Sequence, residues 1–488
     1  MKQDWLNPKQ VNINELLKDL NQNTTVLTGN QRLTSVLRGL SEQIFISQQL
    51  SIWGSPSIMP WSSWLLTLWE DALVAGLLPG YEHLLSPWQE YIIWQEIIAA
   101  DFSAKPTINT IQLVQNAWQL VWSWCIPQNA SLFDYNQDSQ LFWKWLQRFQ
   151  TSCNERKLIS AVGIVGKLQR LFKLQKLIPP QHLILTGFAV LNPLQIQLLT
   201  ALANLGCRIE WVEHQVKSSS VVRIACKDVH EEKVWMARWV RKKQEDNPGV
   251  RIGIVVPELH NQRDAIQHTL DEILIPEIFY PENQNQTPPY NFSLGKALIL
   301  FPPISIALSA LSFFGATLRF ETISQLLRSP LIVGWTQESG ARALLDVKLR
   351  EIGEPVFTID TLIGLSTRFG CDTTCPIFLQ RLRSTRKWLM VNQSNVKPGQ
   401  WSSRFDQILR MMGWLEDYSL SQEMFQLISA WRELFAELAS LDWVMGEITA
   451  TDATNLLNQM AGQRIFQPQV DNQSIQILGP LEAQGIEF

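Results

Sequence analysis

The sequence predicts an α/β protein whose parallel sheets are interrupted by two long helical stretches. Three observations carry this. Residues 182–213 read as a complete strand-helix-strand unit, a second alternation of strand and helix signals follows residue 220, and the stretches after Pro60 and after Leu298 have helical period and many tryptophans.

In the first unit, His182–Thr186 is an apolar strand, Gly187 a turn, and Asn192-Pro193 the opening of a helix. Leu194, Leu198, Ala201, Leu202 and Leu205 recur at helical spacing, Gly206 stands where a helix stops, and Cys207–Val212 is a second apolar run. Two strands joined through a helix are the grammar of a parallel sheet.

The chain of 488 residues is long enough for two to four domains and a large core. Hydrophobic residues make up 46% of it, yet no apolar run approaches the roughly 18 to 20 residues that a membrane helix needs. The N-terminus, MKQDWLNPKQ, lacks the basic-then-apolar pattern of a secretory signal, so a cytoplasmic protein without membrane partners is expected. Six scattered cysteines fit reduced, buried thiols; Cys371 and Cys375 are the one close pair, too little for a metal site. A net charge of −4 does not by itself suggest nucleic acid.

In chain order, a polar lead precedes the strand Thr24–Thr28, the turn Gly29-Asn30 and a helix from Gln31 to Gln43. This is the setting of a phosphate-binding loop, in which backbone N–H groups and a helix N-terminus face the phosphates. The signature G-x-x-x-x-G-K-[ST] is missing. Arg32 is the only cation there, and it reads as a solvated first-turn arginine rather than an anion ligand.

From Pro60 to about Pro179 the sequence turns helical. Trp61 and Trp64, and Trp118 and Trp122, fall on single helix faces, which favours core packing over base stacking. Lys144, Arg148, Lys167, Arg170 and Lys173 cluster toward its end, where a phosphate backbone could run, although a solvated helix face explains them almost as well. Lys217–Ser220 reads as a linker. The second series then follows: a strand over Val221–Ala225, a helix over Glu231–Glu245, a strand over Val250–Val256 and a helix over Asn261–Leu274 capped by Asn261. A proline-rich loop from Tyr280 to Tyr290 leads to the second helical stretch, and strand character returns only at Ser474–Leu478. Asp346-Val347-Lys348 has the local spelling of a D-x-K nuclease motif, but it falls in a helical stretch and reads as a surface helix.

Several segments together resemble a superfamily 1 helicase of the UvrD type, and most closely the degenerate helicase half of AddB-like and RecB-like helicase-nucleases. Leu183–Phe188 through Pro193-Leu194-Gln195 is similar to the family's strand-GF-x-x-x-x-P-L-Q element, and Ile252–Pro257 with Arg263 to its motif IV. Ser293–Leu298, Leu326–Pro330 and Arg342–Asp346 resemble the start of its second helical insertion, and Gly485–Phe488 the end of motif V, with Gly479, Leu481 and Gln484 replacing the usual threonine, histidine and lysine. The match spans essentially the whole chain, and the order and spacing of the segments carry it.

The resemblance implies two RecA-like parallel-sheet domains, each interrupted by a large helical insertion, in a C-terminally truncated superfamily 1 architecture. The first domain is expected at 1–59 and 180–216 with its insertion at 60–179, and the second at 217–294 and 470–488 with its insertion at 295–469. It implies a degenerate nucleotide site at Gly29, Asn30, Gln31, Arg32, Thr186, Gly187, Arg263 and Glu487, in which Thr186 stands where a magnesium-holding carboxylate would be and Arg263 reaches across the cleft. The expected protein is an ATPase-dead module of a bacterial DNA repair helicase-nuclease, without cofactor, binding single-stranded or broken-end DNA beside a partner subunit. A C-terminal PD-(D/E)xK nuclease would belong to the full-length relative. An active DNA-dependent ATPase and a DNA-free interaction scaffold stay open as alternatives.

Overall fold

Residues buried on both faces of a strand mark the inside of a parallel sheet, and two neighbouring strands of the first sheet have that pattern. In the computed structural model, which describes residues 7, 9–11, 16–17, 20, 23–47, 56–78, 82–102, 105–214, 220–280, 288–315, 317–468 and 473–486, they are Thr24–Thr28 and His182–Thr186.

The first sheet comprises Lys9–Val11 (β1), Thr24–Thr28 (β2), Ser57–Pro60 (β3), His182–Thr186 (β4) and Arg208–His214 (β5), in the order β1-β5-β4-β2-β3, with every pairing parallel. Thr28 pairs with Thr186, so the C-terminal ends of the two central strands lie side by side. Alternate side chains sort to opposite faces. Val26, Ile58 and Ile184 join Leu33 and Leu37 of helix α1 (Gln31–Ser47), while Leu27, Leu183 and Leu185 meet Trp64, Trp69, Leu198 and Phe172 on the other side. Helix α2 (Pro193–Asn204) starts on a reciprocal cap: Asn192 accepts from the Gln195 N–H and Gln195 from the Asn192 N–H, each at 2.9 Å.

The second sheet is Ile252–Val255 (β6), Tyr290–Phe292 (β7) and Ile475–Leu478 (β8), in the order β6-β8-β7 and again parallel. The central strand β8 is buried at all four residues and arrives from the far end of the chain. Helices α3 (Val229–Asp246) and α4 (Leu259–Leu274) supply Ala237, Val240, Ile266 and Leu270 to its core.

Four expectations need correction. Val221–Ala225 is unpaired coil with Val221 and Val222 exposed, because an extended segment becomes a strand only beside a hydrogen-bonding neighbour, and none pairs with it among the described residues. Asn261 does not cap α4; the helix begins at Leu259, and the Asn261 N–H donates to Glu258 within the first turn. The polar lead contains β1, and the end of the proline-rich loop contains β7. Residues 217–219, 281–287, 487 and 488 lie outside the described residues, and with them most of the linker and the proline-rich loop.

Contacts group the chain into two compact units: Met1–Ser86, Ile93–Leu294 and Val470–Phe488 in one, and Pro87–Ile92 with Gly295–Gln469 in the other. Both sheets belong to the first. In its helical stretch Trp94 stacks on Phe149 with ring centroids 4.1 Å apart, and Trp118 meets both edge-on. Trp124 is the exception, half exposed.

The second unit is helical around Trp401, Phe405, Trp431 and Leu434. Its fully buried cation, Arg342, donates to Glu338 at 2.8 Å and to the Ile332 and Val333 carbonyls, while Glu338 also accepts the Phe378 N–H at the start of the helix Pro376–Val391. Asp346 lies on the helix Trp335–Ile352 but is not a surface residue: its carboxylate is buried and accepts from Arg350 at 2.9 Å. No helix among the described residues is long and apolar enough to cross a membrane.

Candidate nucleic-acid interface

The turn after β2 has two residues, and its polar groups are engaged. The Gly29 N–H donates to the Thr186 carbonyl at 3.1 Å, and the Asn30 side chain accepts the Leu33 N–H at 2.8 Å, capping α1. A Cβ on Gly29 would stand 2.0 Å from the Gly187 carbonyl oxygen, and one on Gly187, whose φ is +71°, would stand 2.3 Å from Leu33. The two glycine turns therefore abut. A phosphate-binding loop needs a ring of free N–H groups around open space, and here the space is filled by the neighbouring turn. Thr186 is buried and offers a hydroxyl but no charge, while Gln31 is exposed in the first turn of α1.

Beside this closed turn lies a cleft of about 520 Å³ between α1 and the second sheet, lined by Arg32, Ser35, Arg251, Asn291, Ser474 and Gln476 among others. Arg32 is not the solvated arginine its position suggests. It is half-buried and donates to the Gln476 side chain on β8 at 2.9 Å, while Asn30 donates to the Leu481 carbonyl at 3.3 Å. Burial lowers the Arg32 pKa and the nearby Glu482 carboxylate opposes that.

Arg263 is not a wall of this cleft. Its Nε donates to the Leu294 carbonyl at 3.1 Å and its guanidinium covers the Phe292 ring at 4.8 Å, so it is engaged by the second sheet's own residues, with Nη1 buried and unpartnered among the described residues. Next to it the Tyr290 hydroxyl donates to Asp271; burial and that carboxylate raise the Tyr290 pKa well beyond the usual phenol range. Glu487 lies outside the described residues.

The cations of the first helical stretch divide into paired and open ones. Lys144 and Arg148 converge on Asp101, at 2.9 and 3.0 Å, and the Trp145 indole donates to the same carboxylate at 2.8 Å. The bonds from Lys144 and Trp145 hold Asp101 down to a pKa of about 2. Lys167 pairs with Glu82 at 2.8 Å. Arg170 and Lys173 are exposed in the last turn of the helix Gly163–Lys173, where the helix dipole favours cations, and no acidic group pairs with them among the described residues.

One face not singled out from the sequence has a different character. Trp235, Arg238, Trp239 and Lys242 fall at i, i+3, i+4 and i+7 on α3 and are all exposed, the two indoles to 49% and 44%. Ala237 and Val240 occupy the buried side of the same helix, and Lys243 lies 5.9 Å from the Trp239 ring. The signal was present as W-M-A-R-W-V-R-K-K, two tryptophans one turn apart among basic residues, but tryptophans elsewhere in this chain are mostly core.

Comparison with known proteins adds no family: no family model matches the chain, and no curated protein matches it.

Proposed function

We propose that the protein is a non-catalytic module that binds single-stranded DNA, with two RecA-like domains and helical insertions in the manner of an inactivated superfamily 1 helicase. The observation that carries the reading is the exposed Trp235-Arg238-Trp239-Lys242 face. Exposed indoles give bases a stacking surface, and flanking cations neutralise the backbone between them. The abutting glycine turns support the absence of ATP turnover, since hydrolysis needs a lysine and a carboxylate-held magnesium around the phosphates, and Gly29, Arg32 and Thr186 supply neither.

Val221, Val222 and Ile224, exposed in the segment leading into α3, favour a second reading in which this side of the domain docks another protein. Two measurements separate the possibilities. Binding of a labelled oligothymidine at low salt is expected, and its absence together with capture of a protein partner would leave the docking reading. Phosphate release from ATP should stay at background with and without DNA. A DNA-stimulated turnover near about one per second, within the ordinary enzyme range, would sink the non-catalytic part.

A further inference from the structure

We propose that the cleft between α1 and the second sheet is a binding site for a sugar-phosphate group. Its volume of about 520 Å³ lies within the roughly 300 to 1,000 Å³ of pockets that enclose small ligands. Arg32 and Arg251 both line it, and no acidic residue does. Neither arginine forms an ion pair among the described residues. Arg32 is half-buried and gives Nη2 to Gln476, while the nearby Glu482 favours its charged form from outside the lining; Arg251 is exposed. A partly desolvated cation without a paired counter-ion favours an incoming anion, and guanidinium groups match phosphate oxygens in shape and charge. Gly39 bears on the room available. It stands inside α1, where glycine is a poor helix former, and a Cβ there would meet nothing within 4 Å. No neighbouring atom requires glycine at that place, whereas a larger side chain would take up space along the wall that Gly39 lines.

The other lining groups choose among anions. Gln43 and Gln476 offer carboxamides and Ser474 a hydroxyl, groups that both donate and accept, as the hydroxyls of a sugar do. No aromatic ring lines the cleft, so a base would have no stacking partner there. Nor does a carboxylate line it to hold magnesium beside a polyphosphate. A free sugar phosphate and the backbone of a nucleic-acid strand share the chemistry that remains. The inference stands apart from the strand-binding face on α3: loss of oligothymidine affinity on removing Trp235 and Trp239 reports that face, and dependence on Gly39 reports the cleft.

The test is isothermal titration calorimetry of the full chain with ribose 5-phosphate, ribose and an abasic oligodeoxynucleotide. A phosphorylated probe should bind saturably and ribose should not. Arg251→Gln, an exposed substitution, should weaken that binding about tenfold, as loss of one charge-assisted bond does. Gly39→Leu should weaken it at least as much by filling the cleft, without lowering the melting temperature, since it replaces a poor helix former with a good one. If the abasic strand binds and loses affinity in both variants, the cleft takes strand backbone; if ribose 5-phosphate alone does so, it takes a free sugar phosphate. The proposal is overturned if neither phosphorylated probe binds saturably, if ribose binds as tightly as its phosphate, or if no binding is weakened by both variants.

Discussion

Two basic stretches of the first unit look alike in sequence and differ in what they leave open. Along Gln137–Lys173 three of the five cations singled out from the sequence are already paired, Lys144 and Arg148 sharing the one carboxylate of Asp101 and Lys167 held by Glu82. On α3, Arg238 and Lys242 stand exposed beside two indoles. Counting lysines and arginines measures charge, whereas a phosphate backbone responds only to charge that has not been spent inside the protein. The acids that spend it, Glu82 and Asp101, lie far from their partners in sequence, which is why the run of basic residues looked open.

Removing the indoles should have the largest effect. Trp235→Ala with Trp239→Ala should weaken binding of single strands by about thirtyfold or more, since each stacked base contributes roughly 1–3 kcal/mol. Both rings are exposed, so thermal unfolding should move little. An unchanged affinity would take the strand off α3. Next in size is Arg238→Gln with Lys242→Gln, expected to make the slope of log affinity against log salt shallower by about 1.4 for two lost contacts to a single strand. Lys144→Gln with Arg148→Gln should leave that slope alone.

A smaller effect tests the paired region directly. Asp101→Asn releases Lys144 and Arg148, and affinity for single strands should rise by about twofold to fivefold, the scale of an exposed ion pair. The same variant should alter acid unfolding. The folded-state pKa of Asp101 is depressed from 3.8 to about 2, so its stabilisation is present above the unfolded value and is lost as pH falls from about 4 toward 2. The Asn variant should lack that component of the pH profile. The smallest effect is expected from Arg263→Ala, which should change DNA affinity by less than about twofold, below the scale of a typical hydrogen bond to a charged group, because the guanidinium is held by Leu294 and Phe292. A large loss there would mean that Arg263 reaches DNA.

Local signals made part of this molecule legible. The strand-helix-strand unit from His182 to His214 could be read because the Asn192 cap, Pro193 and the leucine spacing all sit within the segment they organise. The strand Ile475–Leu478 was legible for a similar reason, although its place between β6 and β7 was not. Val221–Ala225 misled, since strand composition does not supply the neighbour a strand needs. The closed turn at Gly29 was only half visible: the missing lysine could be read, but the abutment of Gly29 on Gly187 depends on the register that sets Thr28 against Thr186. Arg32 escaped for the same reason, its partner Gln476 being brought in by the second sheet.

Strand binding by an open indole-cation face without nucleotide turnover sets this reading apart from both a motor and a DNA-free scaffold. Its most direct test is the affinity for a fluorescent oligothymidine of about twenty nucleotides, titrated across salt with and without ATP and magnesium. Affinity should fall linearly on logarithmic axes as salt rises, with the same line whether or not nucleotide is present. Undetectable binding at the lowest salt, or a line displaced by ATP, would contradict it.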